Sequence, residues 1–178
     1  MKKLSLGMGL VVLTYFVFAE AGHTADSVNT QRLQCNTGYT LSECSRQLSL
    51  LRATLAMYHA ETLAPWTWVL VKSQDWKFIV RSLRGNTDSP AFSDLERRVT
   101  FLEEALFVQV AGRSAELLRV WSVPLDRLLL LAVTHELGHA MCDELDEAKA
   151  DKFGVLLRQG REAKCAGGSS SRGKWVKR

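Results

Sequence analysis

Two histidines and a glutamate in Ala132-Val133-Thr134-His135-Glu136-Leu137-Gly138-His139-Ala140-Met141 have the spacing of a metal-dependent hydrolase. In a helix, residues four apart share a face, so the imidazoles of His135 and His139 can reach one ion, with Glu136 at the rim of that face. Zinc in a catalytic site usually takes three protein ligands and leaves one position for water, so a third ligand has to come from elsewhere. Glu147 is the first choice, with Asp143, Glu144 and Asp146 as rivals. Glu136 is not needed as a ligand. Its expected role is to take a proton from the attacking water and hand it to a leaving amine, as general base and then general acid. The ion, Zn²⁺, would make that water reactive at neutral pH by lowering its pKa to about 7.

The flanks support this chemistry. Leu128, Leu131, His135, His139 and Cys142 recur at intervals of three and four, so the histidines continue an inward-facing stripe. Imidazoles on such a stripe need polar partners or a metal, because burying them unpaired is costly. Gly138 sits between the ligands, where glycine costs up to about 1 kcal/mol against alanine. Close approach of a strand or of the following turn to the metal-bearing helix would account for it.

That helix needs a scaffold. Pro124 suits a first helical position, and the run Leu128-Leu129-Leu130-Leu131-Ala132-Val133 is apolar all round, which predicts a central helix over Leu125 to Met141. A closing helix follows from Glu147 to Arg158, with Asp143 or Asp146 as its cap and Gly160 as its stop. Upstream, Leu48, Leu51 and Leu55 predict a first helix over residues 43–62, with Ser42 as its cap and Pro65 as its limit. Trp66 to Val71 reads as a strand apolar on both sides, covered by a helix on at least one face. Ser73 would cap a helix carrying Trp76, Ile79, Val80 and Leu83, closed by Gly85. Ser114 to Trp121 is a further short helix. The stretch from Ala91 to Phe107 fits a helix or two strands, and two strands with a turn near Arg97-Arg98 are preferred, the second running from Val99 to Phe107.

The chain of 178 residues begins with Met1-Lys2-Lys3, an apolar run from Leu4 to Ala19, and the small-x-small site Ala19-Glu20-Ala21. These are the parts of a secretory signal peptide over residues 1–21, with Ala25 as a second cleavage site. Cleavage after Ala21 removes two lysines and one glutamate, so the formal net charge falls from +4 to +3. The remainder suits one modest core, expected over residues 41–160, with a polar leader at 22–40 containing Cys35 and a basic Gly/Ser-rich tail at 161–178. A secreted or periplasmic protein without a stable transmembrane anchor is expected. The few basic charges come without interleaved aromatics, which argues against nucleic acid as a partner.

Four cysteines in an exported chain point to disulfides, and three complete pairings are open. Cys35 with Cys44 is preferred because it closes a small loop, and Cys142 with Cys165 is then implied, provided the chain after Gly160 doubles back.

The stretch from Val133 to Met141 resembles the extended signature of the zincin metallopeptidases. Downstream, Glu147-Ala148-Lys149-Ala150-Asp151 is similar to the Glu-x-x-Ala-Asp segment of their gluzincin branch. The resemblance implies that Glu147 completes the metal site from the next helix and that Asp151 supports a histidine ligand. A carboxylate that accepts the second ring N–H of a ligating imidazole fixes its tautomer and strengthens it as a ligand. It also implies an α+β fold, a minimal zincin-like arrangement with a small antiparallel or mixed sheet against the metal-bearing and closing helices. The activity implied is a zinc peptidase whose peptide or protein substrate lies extended along an edge strand, here assigned to Val99, Phe101, Glu103 and Ala105. The alternatives are an amidase acting on cell-wall peptides and a catalytically weak or inactive zincin-like module that binds peptides. His59, Tyr58, Arg97 and Arg98 are the residues available to stabilise a transition state, and no motif selects among them.

Overall fold

The computed structural model describes residues 31–60 and 63–165. The expected signal peptide and the tail beyond residue 165 lie outside the described residues. Strand β1 (Gln31–Cys35), helix α1 (Leu41–Met57), β2 (Trp66–Val71), α2 (Ser73–Ser82), β3 (Ala91–Asp94) and β4 (Val99–Glu103) are followed by a 3-10 turn at Glu104–Leu106. Helices α3 (Arg113–Trp121), α4 (Leu125–Cys142) and α5 (Glu147–Arg158) complete the chain order. The fold is α+β: a small mixed sheet of order β1-β2-β4-β3 packs against α4 and α5 in a zincin-like arrangement. β1, β2 and β4 run parallel, whereas β3 is antiparallel to β4.

The alternation in β2 explains the layering. Trp66, Trp68 and Leu70 point into the main core with Leu128, Val133 and Leu137 of α4, while Val69 and Val71 meet Trp76 and Val80 of α2 on the other face. Successive strand side chains take opposite faces, so a strand apolar at every position requires cover on both sides. Helix α1 begins two residues earlier than Ser42 would place it. Thr40 is the cap, and with Glu43 it forms a capping box in which each side chain accepts from the other's backbone amide. Part of the expected leader is structural, since Gln31–Cys35 is an edge strand paired with β2.

The strand assigned to substrate requires correction. Val99–Glu103 is hydrogen-bonded to β2 on one side and β3 on the other, so no backbone groups remain to receive a peptide. Val99 and Phe101 pack toward the α2 side of the sheet. Ala105 lies in the 3-10 turn and is wholly buried. The free edge beside α4 belongs to β3, the shorter and more polar strand.

Glu103 is a structural anchor. Its fully buried carboxylate accepts from Arg113 Nε at 2.9 Å on both oxygens and from Nη2 at 2.7 Å, tying β4 to α3. Arg113→Ala would leave that carboxylate without a counter-charge, and a loss of about 3–5 kcal/mol of stability is expected. Urea unfolding checks it: the midpoint should fall with little change in slope.

Candidate metal centre

The site is built where α4 meets α5. Asp143 takes a left-handed conformation (φ 52°) at the end of α4, and the amides of Asp143 and Glu144 both donate to the carbonyl of His139. This reverses the chain within five residues without glycine or proline. Asp146 then caps α5, accepting from the Lys149 amide at 3.1 Å. Glu147 thus becomes the first residue of α5, and Asp151 lies one turn beyond it on the same face.

Small residues allow the two helices to approach. A Cβ on Gly138 would stand 2.6 Å from the carbonyl oxygen of Ala150, and one on Gly154 would stand 3.0 Å from backbone atoms of Thr134. The partner that crowds Gly138 is therefore the closing helix rather than a strand or the turn. Gly138→Ala is expected to push α5 away, at about 1–3 kcal/mol, and to weaken any metal binding at His135, His139 and Glu147 because Glu147 moves with α5. Zinc titration beside thermal unfolding of the variant checks both effects.

Three ligand atoms converge. His135 Nε2 lies 3.0 Å from His139 Nε2 and 2.9 Å from Glu147 Oε2, and His139 Nε2 lies 3.5 Å from the same oxygen. Zinc bonds of about 2.0–2.1 Å at tetrahedral angles place ligand atoms about 3.3 Å apart, so the triangle has the right size. Proton placement supports the match. His139 Nδ1 lies 2.6 Å from the carbonyl oxygen of Glu144, which can only accept, so Nδ1 carries the hydrogen. His135 Nδ1 lies 2.7 Å from Asp151 Oδ1 and donates to that carboxylate. In the neutral imidazoles each Nε2 then presents a lone pair toward the other and toward a carboxylate oxygen. Three converging lone pairs repel one another unless a proton or a metal ion lies among them. Among the described residues, His135, His139 and Glu147 form the group of histidine, cysteine and acidic residues close enough to share an ion.

Two of the three rival carboxylates are engaged elsewhere. Glu144 pairs with Lys149 at 3.2 Å and accepts from the Asp146 amide at 3.0 Å, and Asp146 is occupied as the cap. His139 is buried and His135 half-buried, whereas the side chains of Glu147 and Asp151 are 78% and 72% exposed. The acidic half of the site therefore faces solvent, where an ion and a substrate can enter.

Glu136, next in sequence to His135, is buried. Burial is the largest influence on its carboxyl and pushes it above the ordinary range, against the lowering effect of the Ser93 hydroxyl and the neighbouring imidazoles. Ser93 lies on β3 and donates to Glu136 Oε2 at 2.6 Å. Neither Ser93 nor the Glu144 carbonyl was indicated by the sequence; a backbone oxygen has no residue signature, and Ser93 acquires meaning only once β3 is placed against α4.

Both disulfides form as expected, Cys35 with Cys44 and Cys142 with Cys165. The second closes a loop that contains all of α5 and so tethers Glu147 and Asp151 to the end of α4. Two disulfides fit an oxidising compartment. Among the described residues no helix is long and apolar enough to cross a membrane.

No protein-family model matches the chain, and comparison with curated proteins and with solved structures found no match.

Proposed function

We infer that the protein is a small zincin-like zinc peptidase of an oxidising, exported compartment, hydrolysing peptide bonds in an extended peptide. The observation that carries this reading is the convergence of three ligand atoms within 3.5 Å of one another, each imidazole having an acceptor on its far nitrogen. His135, His139 and Glu147 would hold the ion, and Asp151 would orient His135. When bound, zinc supplies Lewis acidity that polarises a carbonyl and makes water acidic enough to react near neutral pH.

The remaining work falls to the chain. Glu136 takes a proton from the attacking water and passes it to the leaving amine. The free edge of β3, Ala91–Asp94, offers backbone groups along which a peptide can add as a further strand. Recognition through the backbone leaves side-chain specificity to a few neighbouring positions.

A second reading, a peptide-binding module with weak or no hydrolysis, is favoured by one feature. Two residues that were candidates to stabilise the transition state are occupied elsewhere: the Arg97 guanidinium is held by Asp94, and Arg98 Nε donates to the carbonyl of Pro65 at 2.9 Å. A mixed peptide library separates the readings. The zinc-loaded protein should cleave it, and cleavage should stop on chelation and return with zinc; peptide binding without cleavage would establish the module instead.

A further inference from the structure

A line of polar groups crosses the face between the sheet and α4. Trp66 Nε1 donates to Thr100 Oγ1 at 2.9 Å, the hydroxyls of Thr100 and Ser93 are 2.7 Å apart, and Ser93 Oγ lies 2.6 Å from Glu136 Oε2. Trp66, Thr100 and Glu136 are each no more than 3% exposed. Ala91 and Leu102, the next cross-strand pair on this face, are apolar, and apolar residues would have served packing equally well at Ser93 and Thr100. Buried hydroxyls are costly unless every proton and lone pair is placed.

With Glu136 ionised, the state in which it acts as a base, the placement is unique. An indole N–H can only donate, so Thr100 accepts from Trp66. A carboxylate can only accept, so the single proton of Ser93 goes to Glu136. The Thr100 proton is then left to fill the link to Ser93. Three protons fill three links, all pointing toward the carboxylate.

We propose that Trp66, Thr100 and Ser93 form a one-way hydrogen-bond chain that holds the Glu136 carboxylate in a single orientation, with Ser93 a positioning residue for hydrolysis. This rests on the reading of Glu136 as the general base. Ser93 is also part of the edge strand along which the peptide is placed, so one hydrogen bond joins the substrate-bearing strand to the group that moves the proton.

The test uses the full chain labelled with ¹⁵N, in which each tryptophan gives its own indole N–H resonance. Ser93→Ala removes the two links nearest Glu136; the Trp66 resonance should move, while those of Trp68 and Trp76, which donate to Gln31 and to the Ser89 carbonyl, should stay. With zinc still bound, kcat should fall about 10- to 100-fold with KM nearly unchanged, as for a misplaced catalytic group. Ser93→Thr, which keeps the hydroxyl, should restore both readouts. Thr100→Val cuts the chain one link farther from Glu136 and serves if Ser93→Ala does not fold; it should also move the Trp66 resonance and lower kcat. A Trp66 resonance unmoved by these changes overturns the chain. Full kcat in Ser93→Ala, where Glu136→Gln is inactive, overturns the positioning role. A zinc-loaded wild-type protein that cleaves nothing overturns the proposed function and the positioning role with it, and the indole resonance distinguishes that failure from failure of the chain.

Discussion

Glu136→Gln protein should bind zinc as tightly as the wild type and hydrolyse peptides about 10²- to 10⁴-fold more slowly, the usual contribution of a positioned general base. The exchange conserves volume, and the amide oxygen can still accept from Ser93, which donates at 2.6 Å in the wild type. What is lost is the ability to carry a proton. Zinc binding should survive because the ligand triangle of His135, His139 and Glu147 does not include Glu136. The amide introduces two N–H groups into a buried position, and unpaired buried donors cost about 1–3 kcal/mol. Thermal unfolding of the variant should therefore accompany the kinetic assay, so that a loss of rate is read at equal folded fraction. Unchanged hydrolysis would remove Glu136 from the chemistry.

The second large effect is expected at Glu147. Its side chain is 78% exposed, so Glu147→Ala should change the stability of the metal-free protein by no more than about 0.5 kcal/mol. Zinc affinity should nevertheless fall by more than the roughly 10- to 100-fold that loss of a supporting partner costs, because a direct ligand is gone. Asp151→Ala provides the comparison. It frees His135 Nδ1 without removing a ligand atom, and its loss should stay within that 10- to 100-fold range. Competition titration against a chelator measures both. Equal affinities in Glu147→Ala and wild type would return the third ligand to the Asp143–Asp146 turn.

Features set by local periodicity were readable from the chain. His135 and His139 follow the apolar stripe of α4, Asp146 is the cap that the acidic turn offered, and the alternation in Trp66–Val71 foretold cover on both faces of β2. The resemblance to the gluzincin segment led to Glu147 and Asp151, whose convergence with the histidines depends on a helix crossing that spacing alone does not contain.

The edge of the sheet was misjudged for a physical reason. Val99–Glu103 is the more apolar strand, and a strand buried on both faces belongs in the middle; Ala91–Asp94, short and carrying Ser93 and Asp94, has the character of a managed edge. Gln31–Cys35 was equally opaque, since an edge strand of mixed polarity has no clear period and is defined by its register with β2. Gly138 signalled a close approach, but only the packing of α5 identifies Ala150 as the neighbour.

X-ray absorption at the zinc edge of the loaded full chain tests the shared-ion geometry most directly. Two imidazole nitrogens and carboxylate oxygen at about 2.0–2.1 Å, with no sulfur near 2.3 Å, are expected, and the imidazole signal should disappear in the His135→Ala, His139→Ala double variant. A wild-type chain that retains no zinc, or zinc whose coordination is unchanged in the double variant, would contradict the account.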